Sequence, residues 1–263
     1  DDRIRARVRR IAPEILFEGG DPSALPLQTR REILYEICEK MASDTFRRDS
    51  LDYSAVQRFA NVDLVDSIRD ILKKYASNDE IIQLMVRMIW LGRFAALRAE
   101  IKKLAISKET SLYTRMAAIR GIRSIGQGQD IAEVRGAFII EEQSLDRSLI
   151  SELIVDSIPT RDNIEWLLGA LAKAKTKERY SVDSLMEEVV NFAQATPIGL
   201  LPLFTSGLNK LLNEPPFMEP IYCQVSQKNS WLVKAALTGA ERLIRDRRPE
   251  AFHSTTLEIL QKF

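Results

Sequence analysis

The chain has 263 residues, of which 45% are hydrophobic and 29% are charged, so it is long enough and apolar enough to bury a core. Its 38 lysine and arginine residues nearly balance 37 acidic residues, and the net charge of +1 gives no general attraction to nucleic acid or anionic lipid. These totals exclude a disordered chain and leave any recognition of nucleic acid to a local patch.

The first predicted element is an arginine-rich helix that ends at Gly19-Gly20, where glycine suits a left-handed cap. Its apolar stripe recurs at helical spacing and consists of Ile4, Val8, Ile11 and Ile15. A candidate basic patch on the opposite face consists of Arg3, Arg7 and Arg10. Because the chain begins inside this helix without an initiator methionine, we expect it to be a piece of a longer protein. The stripe would then meet a neighbouring domain or, in the isolated chain, promote self-association.

Amphipathic patterns predict further helices on both sides of a central region. They are expected at residues 27–42, 51–60, 62–76, 182–195, 200–212 and 230–246, with one more opened by Pro249. Cys38 falls on the inward face of the 27–42 helix, which predicts a buried, reduced thiol. Strand signals are nearly absent, so the expected fold class is all-α.

A repeat of 33 residues organises the central region. The repeated stretches are 79–110, 111–143 and 144–177. Each indicates two helices around a tight turn, and so short a pair buries its apolar face only by stacking on neighbours. We therefore predict a right-handed α-solenoid of stacked antiparallel helix pairs. It would comprise an N-terminal helical segment at 1–78, three repeats at 79–177 and a divergent helical continuation at 178–263.

Residues that carry most enzyme and metal chemistry are scarce. His253 is the only histidine, and Cys38 and Cys223 lie far apart, so neither a zinc site nor a histidine-activated nucleophile is expected. Gly126-Gln-Gly128 joins two predicted helices and is not a phosphate-binding loop. We predict no catalytic, cofactor-binding or metal-binding residue. With no apolar run of membrane-spanning length and no signal peptide, we expect a cytoplasmic protein with no membrane partner.

Arginines of the repeats form a candidate binding face. Equivalent positions of stacked repeats share one face, so these arginines would align as a row able to contact phosphates. The residues are Arg87, Arg93, Arg115, Arg120, Arg123 and Arg135. The alternative is structural, because long arginine stems cover apolar helix surface and pair with acidic neighbours. Trp90, Trp166 and Trp231 lie in apolar helical stretches and are interpreted as core residues.

The segment Met116-Ala-Ala-Ile-Arg-Gly-Ile-Arg-Ser-Ile-Gly126, followed by Asp130-Ile131-Ala-Glu-Val134, resembles short HEAT-like repeats. In those repeats an alanine-rich first helix ends in a glycine turn, and an aspartate precedes the second helix. The likeness covers residues 79–177 and implies a HEAT/armadillo-like fold, without indicating a ligand.

A second resemblance lies in Pro13-Glu-Ile-Leu-Phe-Glu-Gly-Gly-Asp-Pro-Ser-Ala-Leu-Pro26 and Arg30-Arg-Glu-Ile-Leu34, continued by Phe59-Ala-Asn-Val-Asp-Leu64. These segments are similar to the region that follows the P-loop module in large bacterial signal-transducing NTPases of the STAND type. Many of those proteins are implicated in anti-phage defence, where helical repeats sense a partner. This chain has no Walker lysine loop, so no catalytic residue carries over, and the resemblance implies a sensor or scaffold arm.

Three functional hypotheses follow. The first is a non-enzymatic HEAT-like module that binds a protein partner or a neighbouring domain of the same polypeptide, as the scaffold or sensor arm of a larger NTPase. The second is a nucleic-acid binder that uses the arginine face. The third is a DNA-glycosylase-type enzyme built from HEAT-like repeats, for which Trp166 with Asp162 or Glu165 is the candidate grouping. None of the three requires a cofactor.

Overall fold

The structure, a computed structural model, describes residues 2–19, 21–46, 51–141, 144–176, 184–218 and 224–262. Within these ranges the chain forms fifteen α-helices and several short 3-10 turns, and no β-strand. The all-α prediction is confirmed, whereas the solenoid arrangement stays a prediction. No helix in the described ranges combines the length and the hydropathy that crossing a bilayer requires.

The chain divides into two compact units, residues 1–134 (unit 1) and 135–263 (unit 2). The helices of unit 1 are α1 (Asp2–Ile11), α2 (Pro13–Glu18), α3 (Leu27–Ala42), α4 (Tyr53–Phe59), α5 (Val65–Lys74), α6 (Asp79–Gly92), α7 (Arg98–Ile106) and α8 (Leu112–Ile125). Helix α9 (Gly128–Glu141) runs across the division. The helices of unit 2 are α10 (Arg147–Ile154), α11 (Arg161–Ala172), α12 (Leu185–Ala195), α13 (Leu201–Leu212), α14 (Val233–Arg245) and α15 (Ser254–Gln261).

The predicted first helix is two helices, α1 and α2. Ala12 separates them at φ −146° and ψ 68°, directly before Pro13. A proline ring clashes with a helical residue in front of it, so Ala12 leaves the helical region, while Pro13 itself fits the first turn of α2. Gly19 follows α2 in an extended conformation, with φ −86°, so Gly19 is not the left-handed residue predicted for the Gly19-Gly20 pair. Gly20 lies outside the described residues.

The other predicted helices are present with small shifts at their starts. Helix α3 has the predicted limits, and its inward residues Ile33, Leu34, Ile37 and Cys38 are all 0% exposed. Helices α5 and α14 begin three residues late because a 3-10 turn occupies the start of each predicted segment. Residues 182–183 of the predicted 182–195 helix lie outside the described residues, as does Cys223.

Helix α6 lies at the centre of unit 1 and packs against α3, α4, α5 and α8. Asn78 caps its N-terminus by accepting a hydrogen bond from the Ile81 N–H at 3.1 Å. Helices α7 and α8 also pack closely, and Gly121 permits this approach. A Cβ atom at Gly121 would lie 2.2 Å from Cδ1 of Ile101. Burial of these apolar faces is the main source of stability for helices of this length.

Two contacts between distant segments join α2 to α4 and α3 to the turn before α5. The rings of Phe17 in α2 and Phe59 in α4 stack with centroids 4.1 Å apart, and both are 0% exposed. Arg30 of α3 is 5% exposed and donates two hydrogen bonds to the Asp63 carboxylate, at 2.9 and 2.5 Å. A forked pair of this kind fixes orientation as well as distance.

Ion pairs link the alternate helices α5, α7 and α9. Arg69 of α5 donates to Glu100 of α7 at 2.8 Å, and Lys102 of α7 donates to Glu133 of α9 at 2.5 Å. Each pair joins residues 31 positions apart. Lys102 also donates to Asp130, at 3.2 Å. Asp130 in turn accepts a 2.8 Å hydrogen bond from the Gln127 N–H, which caps the first turn of α9.

Asp130 is expected to make stability depend on pH. The Gln127 N–H, then Lys102 and Arg98, lower the pKa of this carboxyl below its usual value. An acid whose pKa is lower in the folded state stabilises above the unfolded pKa of about 3.9 and loses that contribution as pH falls further. We expect Asp130→Asn to lower the free energy of unfolding by about 1 kcal/mol at neutral pH. Urea titrations at successive pH values should show this gap closing below about pH 4.

The control for this prediction is Asp70→Asn, because Asp70 is an exposed aspartate of α5 in the same unit. It should leave stability within about 0.5 kcal/mol of the parent at every pH. An Asp130→Asn gap that is absent at neutral pH, or that persists undiminished in acid, would contradict the role assigned to Asp130.

In unit 2, α12 packs against α10 and α14, and α13 packs against α11, α14 and α15. Phe192 of α12 and Phe204 of α13 are in ring contact, with centroids 5.5 Å apart. Asn229, 1% exposed, donates to the Leu211 carbonyl at 2.9 Å and so attaches the segment before α14 to the end of α13. Within unit 2, helices thus pack on helices two positions along the chain, as α4, α6 and α8 do in unit 1.

Candidate binding surface

Basic side chains donate to carbonyls at the C-terminal ends of helices in both units. Carbonyls of the last turn have no partner within their own helix. A cation there also interacts favourably with the negative end of the helix dipole. The donor and acceptor pairs are Lys40 to Ile11, Arg58 to Glu18, Arg115 to Ala105, Arg135 to Leu153 and Arg242 to Ala193. These five side chains therefore hold helix ends against neighbouring helices.

Two of the six arginines of the predicted binding face belong to this capping set. Arg115 is 8% exposed and its Nε donates to the Ala105 carbonyl at 3.1 Å. Arg135, also 8% exposed, belongs to unit 2 and donates to Leu153. Neither guanidinium has much surface to offer a ligand. Both side chains instead support helix ends through backbone carbonyls.

The other four arginines of the predicted face lie in unit 1. Arg87 on α6 and Arg120 and Arg123 on α8 are partly exposed. Arg93 is exposed and follows α6 in the left-handed conformation, with φ 53°. Glycine is the usual residue in that conformation after a helix. Gly92, the last residue of α6, has a different role: a Cβ atom there would lie 2.4 Å from the Phe94 ring.

Each of the three tryptophans lies beneath an arginine. Arg120 lies over Trp90 at 6.0 Å, Arg135 over Trp166 at 5.2 Å and Arg147 over Trp231 at 4.0 Å, measured to the ring centroid. All three tryptophans, interpreted from the sequence as core residues, are partly exposed. In each pair the arginine covers part of the indole ring, and the cation is attracted to the π face of that ring.

In unit 1 these contacts extend into a row of four side chains, Tyr53, Arg87, Trp90 and Arg120, which we call the cation–π row. Arg87 lies 5.3 Å from the Tyr53 ring centroid, and the Tyr53 and Trp90 rings meet edge to face at 6.0 Å. Tyr53 is 50% exposed. The row crosses from α4 through α6 to α8 and forms a partly exposed surface rich in π faces and guanidinium groups.

Arg87 also borders a cavity of about 190 Å³, which we call the Arg87 pocket. Its apolar lining consists of Met41, Phe46, Leu51 and Leu84, and its polar lining of Asp44, Glu80, Gln83 and Arg87. Sites for cofactors and drug-sized ligands are usually about 300–1,000 Å³, so this volume suits a single inserted side chain better. The pocket and the cation–π row share Arg87 and therefore form one continuous candidate surface.

No family model, curated protein or solved structure matches this chain.

Trp166, the aromatic residue considered for an enzyme, is in contact with Arg135. The Trp166 Nε1 donates to the Arg135 carbonyl at 2.9 Å and its ring is covered by the Arg135 side chain, while Asp162 and Glu165 are exposed. His253 and Glu250 line a cavity of about 210 Å³. The described hydrogen bonds nevertheless include none from the His253 imidazole to another side chain.

No three histidine, cysteine or acidic side chains in the described ranges are grouped as metal ligands would be. Cys38 is buried, and burial raises the pKa of its thiol to about 12, so the reactive thiolate is not formed at neutral pH.

The N-terminal basic patch is accessible. Arg3, Arg7 and Arg10 are all exposed on α1. The isoleucines of the predicted apolar stripe are exposed as well: Ile4 by 62%, Ile11 by 64% and Ile15 by 60%. No described neighbour therefore buries the stripe.

Sequence reasoning missed the cation–π row and the Arg87 pocket as sites. Tyr53 precedes the repeats and carries no repeat signal, and the pocket draws residues from α3, the segment before α4, and α6. One signal was present: Trp90 and Arg120 are 30 residues apart and Arg135 and Trp166 are 31 apart, close to the repeat length.

Proposed function

We propose that this chain is a non-enzymatic protein-binding module whose unit 1 holds a partner segment on the cation–π row and in the Arg87 pocket. A side chain of the partner enters the pocket, and the flanking residues lie over Tyr53 and Arg120. The observation that carries this proposal is the continuity of the two features through Arg87.

The composition of the surface supports a protein partner. Tyrosine, tryptophan, arginine and methionine are enriched at protein interfaces, and the first three dominate their binding energy. The surface holds Tyr53, Trp90, Arg87 and Met41, in an arrangement set by contacts within unit 1. Rigid aromatic groups of this kind lose little conformational entropy when a partner binds.

The charges around the pocket favour protein over nucleic acid. Asp44 and Glu80 line the Arg87 pocket and would repel a phosphate backbone. Moreover, two arginines of the row expected from the sequence, Arg115 and Arg135, donate to carbonyls at helix ends and present little surface to a phosphate. A mixed rim suits a peptide, which offers both carboxylates and amide donors.

We also propose the wider setting that the sequence resemblances imply. The helix pairs would stack as a HEAT/armadillo-like α-solenoid, a right-handed array in which repeats each contact their neighbours. The chain would act in the cytoplasm as the scaffold or sensor arm of a larger NTPase of the STAND type. Packing of alternate helices within each unit supports the first of these ideas.

The test is selection of peptides from a phage-displayed random dodecapeptide library on the immobilised chain. Enriched peptides are synthesised with a fluorophore, and binding is measured by anisotropy. We expect an enriched apolar residue, and Tyr53→Ala and Arg87→Ala should each weaken binding about tenfold or more. Both side chains are partly exposed, so circular dichroism should show unchanged folding.

Two exposed residues of the same types provide matched controls. Tyr113 on α8 is 73% exposed and the Arg245 side chain at the end of α14 is 72% exposed. Tyr113→Ala and Arg245→Ala should leave peptide affinity unchanged. The proposal is overturned if no peptide is enriched, or if enriched peptides ignore both surface variants. It is also overturned if only DNA or RNA oligonucleotides bind, with an affinity that falls steeply with salt.

A further inference from the structure

A second cavity of unit 1, of about 440 Å³, lies between α5, α6, α7 and the segment 107–110 before α8. We call it the α5–α7 pocket. It is larger than the Arg87 pocket, and its volume falls within the range of about 300–1,000 Å³ that is usual for small-molecule sites. Such sites combine an apolar wall with a few polar groups. The apolar wall here consists of Leu72, Ala76, Ile82 and Leu104.

Three charged side chains of the α5–α7 pocket already have partners within unit 1. The Arg69 Nε donates to the Glu100 carboxylate at 2.8 Å, so these two groups neutralise each other. Asp79 accepts hydrogen bonds from the Thr114 hydroxyl and the Gln83 amide, both at 2.8 Å. Both donors to Asp79 are uncharged, so its negative charge remains. These contacts fix the wall of the pocket and leave the binding of a ligand to other groups.

The remaining charged side chains of the α5–α7 pocket are Lys73, Lys103 and Glu109. All three are exposed. In the part of the chain that the structure describes, none of their side chains forms an ion pair or a hydrogen bond. The hydroxyl groups of Ser77 and Thr110 line the same pocket. Two ammonium groups and one carboxylate therefore border an apolar wall.

The charges of the α5–α7 pocket restrict the class of ligand. Of the described residues that line it, three are basic and three are acidic, so neither sign prevails. A simple anion would be attracted by Lys73 and Lys103 but repelled by Glu109 and Asp79, and a simple cation would meet the reverse. A ligand that carries both charges and an apolar group can match all parts of the wall. Leucine and short leucine peptides with free termini have this chemistry.

We propose that the α5–α7 pocket binds a small zwitterion with an apolar side chain, either a free amino acid or a short peptide with both termini free. Lys73 and Lys103 bind the carboxylate, Glu109 binds the ammonium group, and the apolar wall contacts the side chain. The pocket shares no lining residue with the cation–π row or the Arg87 pocket. Failure of this proposal therefore leaves the proposed protein-binding function standing.

The experiment is isothermal titration calorimetry of the full chain with two sets of probes. The first set consists of leucine, the dipeptide Leu-Leu and the tripeptide Leu-Gly-Leu. The second set lacks one or both charges: N-acetyl-leucine, leucine amide and N-acetyl-leucine amide. We expect binding from the first set, and each blocked compound should bind about tenfold or more weakly than leucine or the preferred peptide. Binding of leucine alone would identify the source as a free amino acid, whereas tighter binding of the peptides would identify a peptide terminus.

Variants test which side chains bind the two charges. Lys73→Gln with Lys103→Gln should weaken binding of the preferred probe about tenfold or more, and so should Glu109→Gln. The matched controls are Lys234→Gln and Glu241→Gln, because both residues are exposed on α14 in unit 2. These controls should leave binding unchanged. Circular dichroism should show that every variant is folded.

Three outcomes would overturn the assignment of the α5–α7 pocket. The first is that none of the zwitterionic probes binds at millimolar concentrations. The second is that a blocked compound binds as tightly as its zwitterionic parent, which would show that one of the charges is not recognised. The third is that binding survives both the lysine and the glutamate variants, which would place the ligand elsewhere on the chain.

Discussion

Replacement of Phe59 by alanine is expected to lower the free energy of unfolding of unit 1 by about 3–5 kcal/mol. Phe59 is 0% exposed and stacks on Phe17 at 4.1 Å, which joins α2 to α4. Truncation removes the buried ring and leaves a cavity that the surrounding helices only partly fill, and it also removes the ring contact. Domains of this size are usually stable by only about 5–15 kcal/mol, so the variant should be close to unfolding.

Urea titration followed by circular dichroism measures this effect. Phe252→Ala is the matched control, because Phe252 is 82% exposed and loses little by truncation. It should change stability by less than about 0.5 kcal/mol. If Phe59→Ala is as mild as Phe252→Ala, the packing of α2 on α4 described above is not that of the molecule in solution.

Replacement of Arg135 is expected to destabilise unit 2 by about 2–4 kcal/mol, although the residue looks like an ordinary surface arginine in the sequence. Its Nε donates to the Leu153 carbonyl at 3.2 Å and its Nη1 to the Asn163 Oδ1 at 2.6 Å. It thereby joins α9 to the end of α10 and the start of α11, while its stem and guanidinium cover Trp166. The cost of burial is visible in the pKa of Arg135, which desolvation lowers to about 10.

Two replacements separate the contributions of Arg135. Arg135→Met keeps the apolar stem but leaves the Leu153 and Asn163 acceptors without this donor. Arg135→Lys keeps the charge but loses the planar fork. We expect both to be strongly destabilising in urea titrations of unit 2 monitored at tryptophan emission. Arg161→Met is the control: Arg161 is exposed and makes only a 3.6 Å ion pair with Glu165, worth about 0.5 kcal/mol. Full stability of Arg135→Lys would show that charge alone is sufficient.

Helix positions were largely predictable, because each depends on a local pattern. Helix α3, for example, has the predicted limits. The break at Pro13 was missed because the isoleucine periodicity continues through it to Ile15. A proline after Ala12 was nevertheless a readable signal, since the residue before a proline seldom stays helical.

The roles of the arginines were much less predictable. Arg115 and Arg120 both lie on α8, yet they have different roles. Arg115 is buried and caps the end of α7, whereas Arg120 covers Trp90. Which role an arginine takes depends on where a neighbouring helix ends, and that is a property of tertiary packing. The Arg87 pocket was out of reach for the same reason, because its lining comes from three separate segments.

Because every tryptophan is paired with an arginine, intrinsic tryptophan fluorescence can report on these contacts. Unit 1 contains Trp90 alone, whereas unit 2 contains Trp166 and Trp231. Loss of a guanidinium from the face of an indole alters the emission of that ring, so fluorescence reports the opening of individual helix contacts. Variants that retain one tryptophan each would therefore record whether the two units melt together or one after the other.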